Sequence, residues 1–310
     1  MRSKITPVVL LILMIVLIFY SLIDGMESDN YHFVLMSIRL PKLILAFSVG
    51  AILAQSGLFY QSIFQNNLAS PYTLGTSMVA SFVAVLLLAF ELHSGLSISL
   101  SVFLGGSLSY FLLHLFSRLI GRNRRDGLLL SGIAQSLLFS SLIIFIQVYS
   151  TPYINQRVIH WMVGSLNTVG WKEPLILLST AFILLAFALT HWHKLEALSL
   201  GDEFAYSRGI IPDQIRLRTI AIVCVAIALV VAIAGPIGFV GLLIPNFVRL
   251  FFKNKMIVWP KLNFVTGGLF LVGCDLFVRI LFPTRELPIG VITSLIGAPL
   301  FIFLLSRKTQ

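Results

Sequence analysis

Apolar stretches of nearly membrane-spanning length recur along the whole sequence, and short polar segments separate them. A helix needs about 20 apolar residues to cross a hydrocarbon core of about 30 Å. A membrane-spanning β-barrel would instead show segments of about ten residues with alternating polarity. The pattern therefore predicts an all-α, polytopic integral membrane protein. We expect ten spans, at about 5–23, 41–63, 72–91, 96–119, 127–149, 174–192, 215–235, 237–252, 262–282 and 287–305.

Two of these spans, and one segment between spans, are unusual. The first apolar run is long for a signal peptide and is not followed by a small-residue cleavage site, so we expect it to remain as a helix. The eighth span is short and is flanked by glycine and proline, which indicates a broken or partial span. The region 150–173 is too polar to cross a membrane, but "VIHWMVGSL" within it favours a short surface helix.

Composition and charge agree with this interpretation. Hydrophobic residues make up 58% of the 310 positions and charged residues only 11%, whereas soluble domains carry roughly 25% charged residues. With the N-terminus placed inside, most of the 22 lysines and arginines fall on the cytoplasmic side, as the positive-inside rule requires. The net charge of +10 is thus explained by topology, with both termini cytoplasmic, and does not indicate nucleic-acid binding.

The sequence carries few groups suited to chemistry. Cys224 and Cys274 lie in apolar runs and form neither a metal-ligand spacing nor a disulfide framework. No phosphate-binding loop is present, so the chain is not expected to hydrolyse ATP itself. No catalytic constellation stands out, and no metal ligands or cofactors are expected. Asp275 is the clearest ionisable residue inside a span, whereas proton- or sodium-coupled carriers usually keep carboxylates in their cores.

The longest predicted cytoplasmic segment, about 193–214, contains "LSLGDEFAYSRGI". It predicts a short helix, a stop near Gly209 and a second helix that begins around Pro212 and Asp213. Composition alone allows two interpretations. The segment is either a solvated connector or a compact knob that contacts another protein.

Two further stretches indicate close helix packing. Gly50, Ala54 and Gly57 share one helical face, which allows a neighbouring helix to approach closely. The stretch "AGPIGFVGLLIPNFVRL" contains glycines and prolines that interrupt a helix. Such backbone is tolerated at membrane depth where it packs against protein or lines a cavity, as in the broken helices of transporters. A tight packing turn at the outer surface is the alternative.

The turn "QNNLASP" faces the cytoplasm in this topology and contains no positive charge. It is either a capped helix–turn–helix or a neutral polar constriction at the inner mouth of a pathway. The polar residues that would form the constriction are Gln61, Gln65, Asn66 and Asn67.

Charged residues also cluster at the predicted outer surface. Asp275 and Arg279 are spaced i, i+4 on one helix and can form an ion pair. Arg39, Lys42 and Arg285 lie with Arg279 against the positive-inside trend. As a set, these basic residues suit the docking of an acidic partner.

Four stretches of the sequence are informative together. They are "IRLPKLILAFSVGAILAQSGLFYQSIFQNNLASPYTLGTS", "LSLGDEFAYSRGI", "GPIGFVGLLIPNFVRL" and "ELPIGVITSLIGAPLFIFLL". In this order, and spread over most of the chain, they resemble the FecCD family of ABC-transporter permeases, which import ferric siderophores, haem, vitamin B12 and related chelates. The sequence departs from the family pattern at Asn67, where proline is usual, and at Asn246, where histidine is usual.

The resemblance implies a role for each group of residues. Docking to a cytoplasmic ATPase subunit is implied for Gly201, Asp202, Glu203, Ala205 and Gly209. Docking of an extracytoplasmic substrate-binding protein is implied for Arg39, Lys42 and Arg279. The inner gate of the translocation path is implied for Asn66 and Leu68.

The expected assembly follows from the same resemblance. One permease domain, 1–310, would pair with a second copy or a paralogous permease in a bacterial cytoplasmic (inner) membrane. Two ATP-binding subunits and one binding protein would complete the importer. A ferric siderophore is the first expected substrate, with vitamin B12, haem and molybdate as alternatives. A stand-alone secondary carrier and an intramembrane enzyme are the rival classes.

Overall fold

The computed structural model describes residues 31–91, 95–120, 124–252, 256–282 and 287–306. The predicted first span, 5–23, lies outside these residues. Regular structure within them is helical, and short helical segments at Tyr31–Val34, Leu35–Arg39 and Met256–Val258 lead into two of the longer helices. The helices are α1 (Leu40–Phe64), α2 (Thr76–Ala89), α3 (Gly95–Ile120), α4 (Arg124–Tyr149), α5 (Pro152–Met162), α6 (Lys172–Leu200), α7 (Asp202–Ser207), α8 (Pro212–Ala234), α9 (Val240–Phe251), α10 (Trp259–Leu281) and α11 (Ile289–Ser306).

Nine of the described helices match the second to tenth predicted spans in order, and α5 and α7 lie between spans. Within the described ranges, 6 helices are long and apolar enough to cross a membrane, namely α1, α3, α4, α6, α8 and α10. The shorter apolar helices α2, α9 and α11 occupy the positions of the third, eighth and tenth predicted spans. The predicted all-α membrane architecture is therefore confirmed over this part of the chain.

Helix α1 lies at the centre of the bundle. Most of its 25 residues are buried, and it packs chiefly against α10 and α6. A Cβ atom on Gly50 would lie 2.2 Å from the carbonyl oxygen of Gly267 in α10, and one on Gly57 would lie 1.8 Å from that of Gly241 in α9. The predicted small-residue face of α1 thus brings two helix backbones into direct contact.

The predicted break lies between α8 and α9. Gly235 and Phe239 have φ angles of 72° and 66°, so the chain cannot continue as a helix through them. The Ser165 amide donates to the Ala234 carbonyl at 2.8 Å, which satisfies the end of α8 from the segment after α5. The break is therefore packed against protein, as irregular backbone at membrane depth requires.

A proline inside α9 is compensated from α1. Pro245 has no N–H, so the carbonyl of Gly241 loses its usual helical donor. The side-chain amide of Gln61, which is 2% exposed, donates to that carbonyl at 3.3 Å. Gln61 therefore forms a buried contact between α1 and α9 and lies away from the turn in which the sequence pattern grouped it.

The larger differences from the predicted helix boundaries are found at α6, α2 and α5. Helix α6 continues past 192 to Leu200 because Leu195 and Leu198 remain fully buried against the core. Helix α2 begins only at Thr76, since hydrogen bonds between Ser70 and Thr73 hold the preceding residues in a turn. The surface helix α5 starts at Pro152, ahead of the predicted segment, and Thr151 caps it.

Candidate functional site

Helix α7 is 6 residues long, and a glycine lies near each of its ends. Gly201 and Gly209 have φ angles of 131° and 71°, which L-residues with side chains rarely adopt. The Ile210 amide donates to the Ala205 carbonyl at 3.0 Å, and the Gly209 amide donates to the Tyr206 carbonyl at 2.9 Å. These two bonds form a Schellman motif, which ends the helix where the sequence predicted a stop.

The outward face of α7 is apolar and exposed. Phe204 and Tyr206 are 38% and 59% exposed, and Leu200 just before the helix is 57% exposed. The Arg208 guanidinium lies 5.1 Å from the centroid of the Phe204 ring. Concavities of about 620 and 510 Å³ flank the helix. Exposed aromatic residues on a rigid, projecting helix suit the docking of another protein.

The inward side of α7 is attached to a buried arginine. Arg216, in the first turns of α8, is only 1% exposed. Its guanidinium donates to the carboxylate of Asp202 and, at 3.4 Å, to that of Asp213. Its Nε donates to the Ile63 carbonyl at 3.0 Å. Asp202 therefore faces into the protein, while Glu203 beside it is exposed.

Gln65 extends this cluster to two more helices. Its amide nitrogen donates to the Leu198 carbonyl at 2.9 Å and to Asp202 Oδ1 at 3.1 Å. Its amide oxygen accepts a hydrogen bond from Arg125 at 2.6 Å. We call Gln65, Arg125, Asp202, Asp213 and Arg216 the Arg216 node. It joins the ends of α1, α4, α6, α7 and α8.

The turn that follows α1, residues 65–75, carries the predicted gate residues and is called the α1–α2 turn. Asn66 Oδ1 accepts a hydrogen bond from the Leu68 amide at 2.9 Å, and the Asn66 carbonyl accepts one from the Ala69 amide at 3.1 Å. The Leu68 side chain is 51% exposed. Asn66 thus shapes the turn, and the Leu68 side chain projects from it.

The two departures from the family pattern lie in direct contact. The Asn246 amide donates to the main-chain carbonyl of Asn67 at 2.9 Å and to that of Leu242 at 2.8 Å. The Arg249 guanidinium donates to Asn67 Oδ1 and lies 5.6 Å from the Trp259 ring centroid. These contacts tie the α1–α2 turn to α9, which the sequence alone did not indicate.

A groove of about 800 Å³ runs beside this turn. The turn, the end of α5, the break before α9 and one face of α11 form its walls, and its lining is largely apolar. Lining residues include Ser70, Tyr72, Met162, Phe239, Ser294 and Pro299. Phe239 is held with a φ of 66° at the N-terminus of α9, which is an uncommon conformation for an aromatic residue.

Two of the three predicted docking cations surround one carboxylate. Asp275 is 8% exposed, and its oxygens lie 3.1 Å from Lys42 Nζ and 3.3 Å from the Arg279 guanidinium. We call these three residues the Asp275 triad. The predicted pairing of Asp275 with Arg279 is confirmed, and Lys42 joins it from α1. Arg39 lies at the N-cap of α1, three residues before Lys42, and Arg285 lies outside the described residues.

Comparison with known proteins identifies the family. The FecCD transport family profile matches residues 5–307. The chain is 33% identical over 287 residues to the Fe(3+) dicitrate transport system permease protein FecD of Escherichia coli (strain K12), covering 92% of this chain and 89% of that protein. It is also 33% identical over 273 residues to the vitamin B12 import system permease protein BtuC of Vibrio cholerae, covering 87% and 82% respectively.

A solved structure supports the same assignment. It is described as an inward-facing conformation of a metal-chelate type ABC transporter, with a TM-score of 0.87 and 29% identity. The match covers 97% of this chain and 99% of that one. The chain therefore belongs to the FecCD family and is a transmembrane permease subunit of an ABC importer.

Proposed function

We propose that this permease carries a ferric chelate across a bacterial cytoplasmic membrane. The observation that carries the proposal is its relation to the FecD permease of a ferric dicitrate system over almost the full length of both chains. A vitamin B12 corrinoid is the second candidate, because the BtuC permease is similar over a comparable length. Haem and molybdate are more distant alternatives.

The groove beside the α1–α2 turn suits the passage of a bulky chelate. Its volume of about 800 Å³ is within the range of small-molecule sites. Its lining is mostly apolar with scattered hydroxyl groups, so a chelate would meet few strong hydrogen-bonding partners there. We propose that two such chains face each other, as a homodimer or with a paralogous permease, and that their grooves together form the path. Asn66 and Leu68 would then form its inner gate.

Helix α7 is the proposed docking site for a separate ATP-binding subunit, with two such subunits in the importer. Gly201 and Gly209 fix its backbone, Ala205 is buried on its inner side, and Phe204 and Tyr206 are exposed on its outer side. Asp202 holds the helix to the Arg216 node, and exposed Glu203 is left to contact the partner. In this proposal the partner hydrolyses ATP, and this chain moves in response.

The opposite surface is the proposed dock for an extracytoplasmic binding protein. Lys42 and Arg279 remain 25% and 22% exposed at their side chains although both pair with Asp275. Together with Arg39 they give this end an excess of positive charge, which suits acidic residues on a partner. The proposed topology has both termini on the cytoplasmic side, and the chain forms one permease domain, 1–310, with its coupling segment within about 193–214.

A stand-alone secondary carrier is a rival to this proposal, and the contacts of Asp275 argue against it. Such a carrier needs a carboxylate that gains and loses a proton or a sodium ion. Asp275, the buried carboxylate of the described spans, is held by two cations.

Reconstitution tests the proposal directly. The permease, its ATP-binding subunit and its binding protein would be placed in proteoliposomes, and uptake of radiolabelled ferric dicitrate and of radiolabelled vitamin B12 would be measured. We expect ATP-dependent uptake of the ferric chelate that survives collapse of the proton gradient by an ionophore. Uptake without ATP, or loss of uptake with the ionophore, would reject the importer mechanism. Uptake of vitamin B12 alone would replace the substrate and keep the mechanism.

A further inference from the structure

We propose that Gln65, together with the Asp202–Arg216 ion pair, transmits the motion of α7 to the α1–α2 turn. Gln65 would be a positioning residue that couples the ATPase dock to the inner gate. The inference rests on the proposed docking of an ATP-binding subunit at α7. It names the contacts through which that docking acts.

The first step of the route runs from α7 to the last turn of α1. The Arg216 guanidinium binds the Asp202 carboxylate of α7 and, through Nε, the main-chain carbonyl of Ile63. Because Arg216 is 1% exposed, water cannot replace these partners at low cost. A displacement of α7 must therefore move Arg216 and the end of α1 with it, or leave the buried guanidinium with Asp213, at 3.4 Å, as its carboxylate partner.

The second step runs from Asp202 through Gln65 into the turn. Gln65 Nε2 reaches Asp202 at 3.1 Å and the Leu198 carbonyl at 2.9 Å. Gln65 directly precedes Asn66, whose side chain caps the turn at the Leu68 amide. A pull on the Gln65 side chain thus acts on the first residue of the α1–α2 turn.

The backbone of Gln65 supports a role beyond ending the helix. Its φ of 51° and ψ of 34° place it in the left-handed region at the C-cap of α1. Glycine is the residue that suits this conformation best, and non-glycine residues held there are strained. A glutamine at this position keeps the strain and gains contacts to three other helices. Strain kept in exchange for such contacts is typical of functional positions.

The reporter for the test is Leu68→Cys. Leu68 is 51% exposed, and the native Cys224 and Cys274 are buried, so a water-soluble maleimide should label the new thiol selectively. Labelling rates would be measured in the complex with the ATP-binding subunit, before and after trapping with ATP and vanadate. With Gln65 in place, we expect a severalfold change in the labelling rate on trapping. This readout needs no knowledge of the transported chelate.

The decisive variant is Gln65→Gly on the reporter background. Glycine relieves the backbone strain, so the thermal midpoint of the complex should stay the same or rise, while the side-chain contacts are lost. We expect the ATP-binding subunit to remain bound and to hydrolyse ATP. The change in labelling rate on trapping should become severalfold smaller, and a residue of it is expected because the Arg216–Ile63 contact remains. Gln65→Asn, which tolerates the same backbone region but is too short for these contacts, should give the same result.

Glu91→Gly is the matched control. Glu91 is an exposed residue after α2 with a φ of 54°, so glycine relieves a similar strain at the other end of the bundle. The labelling response to ATP should be unchanged in this variant. A full response in Gln65→Gly, or a lost response in Glu91→Gly, would overturn the inference and leave the proposed function intact. No response in the reporter with Gln65 would overturn it as well, and failure of the ATP-binding subunit to bind the reporter would reject the proposed function itself.

Discussion

The charged clusters at the two ends of α1 are built with opposite polarity. In the Arg216 node, one buried cation is held by the carboxylates of Asp202 and Asp213. In the Asp275 triad, one buried carboxylate is held by Lys42 and Arg279. Each cluster therefore places two counter-charges around one buried charge near the membrane. The triad has an excess of positive charge, whereas Arg125 brings the cations of the node to two, equal to its carboxylates.

The two clusters differ in how far their cations are exposed, and this difference indicates what each end of α1 can do. In the Arg216 node the central arginine side chain is 2% exposed, so the cluster works as an internal joint between helices. In the Asp275 triad the two cations are 25% and 22% exposed at their side chains, so a partner can still reach them. The node is suited to holding α7, and the triad is suited to receiving an acidic surface.

Helix α1 connects the two clusters. Lys42 lies near its start, and Ile63 and Gln65 lie at its end. At 1.5 Å per residue, the helix between them spans about 30 Å. A helix buried on nearly all sides over that length can move only with its neighbours. The middle of α1 therefore holds the two clusters in a fixed position relative to each other.

The largest expected effect comes from breaking α1 in its middle with Gly57→Ala. The added Cβ would lie 1.8 Å from the backbone oxygen of Gly241, so α1 and α9 must separate. We expect a loss of about 3 kcal/mol in the free energy of unfolding, at the upper end of overpacking effects. Denaturant titration of the protein in detergent measures this free energy of unfolding. Gly238→Ala, where nothing lies within 4 Å of an added Cβ, should be close to neutral.

The next effect comes from removing the centre of the node with Arg216→Met. Two carboxylates would lose their cation, and the Ile63 carbonyl would lose a donor. Removing one partner of a fully buried pair costs about 3–5 kcal/mol, but we expect about 2 kcal/mol here because the carboxylates are about one-third exposed. The same titration measures it, together with co-purification of the ATP-binding subunit.

Adding Asp202→Asn to Arg216→Met should restore part of that loss, since the neutral amide removes one unpaired charge. A double variant as unstable as the single variant would show that the unpaired charge of Asp202 is not what destabilises Arg216→Met. The contrast between the node and the triad would then not stand. Equal stability of Arg216→Met and the native protein would have the same consequence.

Local patterns predicted most of the fold. The second to tenth spans, the break after α8 and the glycine stop of α7 depend on residues near one another in sequence, and each is found in the structure. The close contact of Gly50 with α10 was also foreseeable because small residues shared one helical face. Helix ends were less predictable, since tertiary burial extends α6 beyond the point where its composition becomes polar.

The clusters could not be predicted because their members are far apart in sequence. Gln65 and Asp202 are separated by 137 residues, and Arg216 and Ile63 by 153. In the sequence, Arg216 is one of many basic residues that satisfy the positive-inside rule, and nothing marks it as buried. One signal was present: a charge placed one turn inside a long apolar helix requires a partner. Naming that partner required the structure.

A smaller effect is expected at the other end of α1 with Asp275→Asn. The two cations lose their shared carboxylate, but both are partly exposed and water can solvate them. We expect a loss of about 1 kcal/mol, between that of a surface pair and that of a buried one. Asp126→Asn, which breaks the more exposed pair with Arg125, should cost less than about 0.5 kcal/mol. A loss at Asp275 as large as that at Arg216 would contradict the difference drawn between the two ends.

The smallest expected effect on stability, and the sharpest on docking, comes from Lys42→Gln. Asp275 keeps Arg279 as a partner, so the free energy of unfolding should fall by less than about 0.5 kcal/mol. Affinity for an acidic binding protein should drop severalfold at low salt, because a partly exposed cation at the dock is lost. Near 1 M salt, where the Debye length is about 3 Å, the variant and the native protein should bind alike.

Lys172→Gln is the control, since it removes the same charge from an exposed position at the start of α6. Binding curves for the two variants, measured side by side, separate a contact at the triad from a general effect of charge. If the two variants lose affinity equally at low salt, the triad is not the dock and its exposure has no functional meaning.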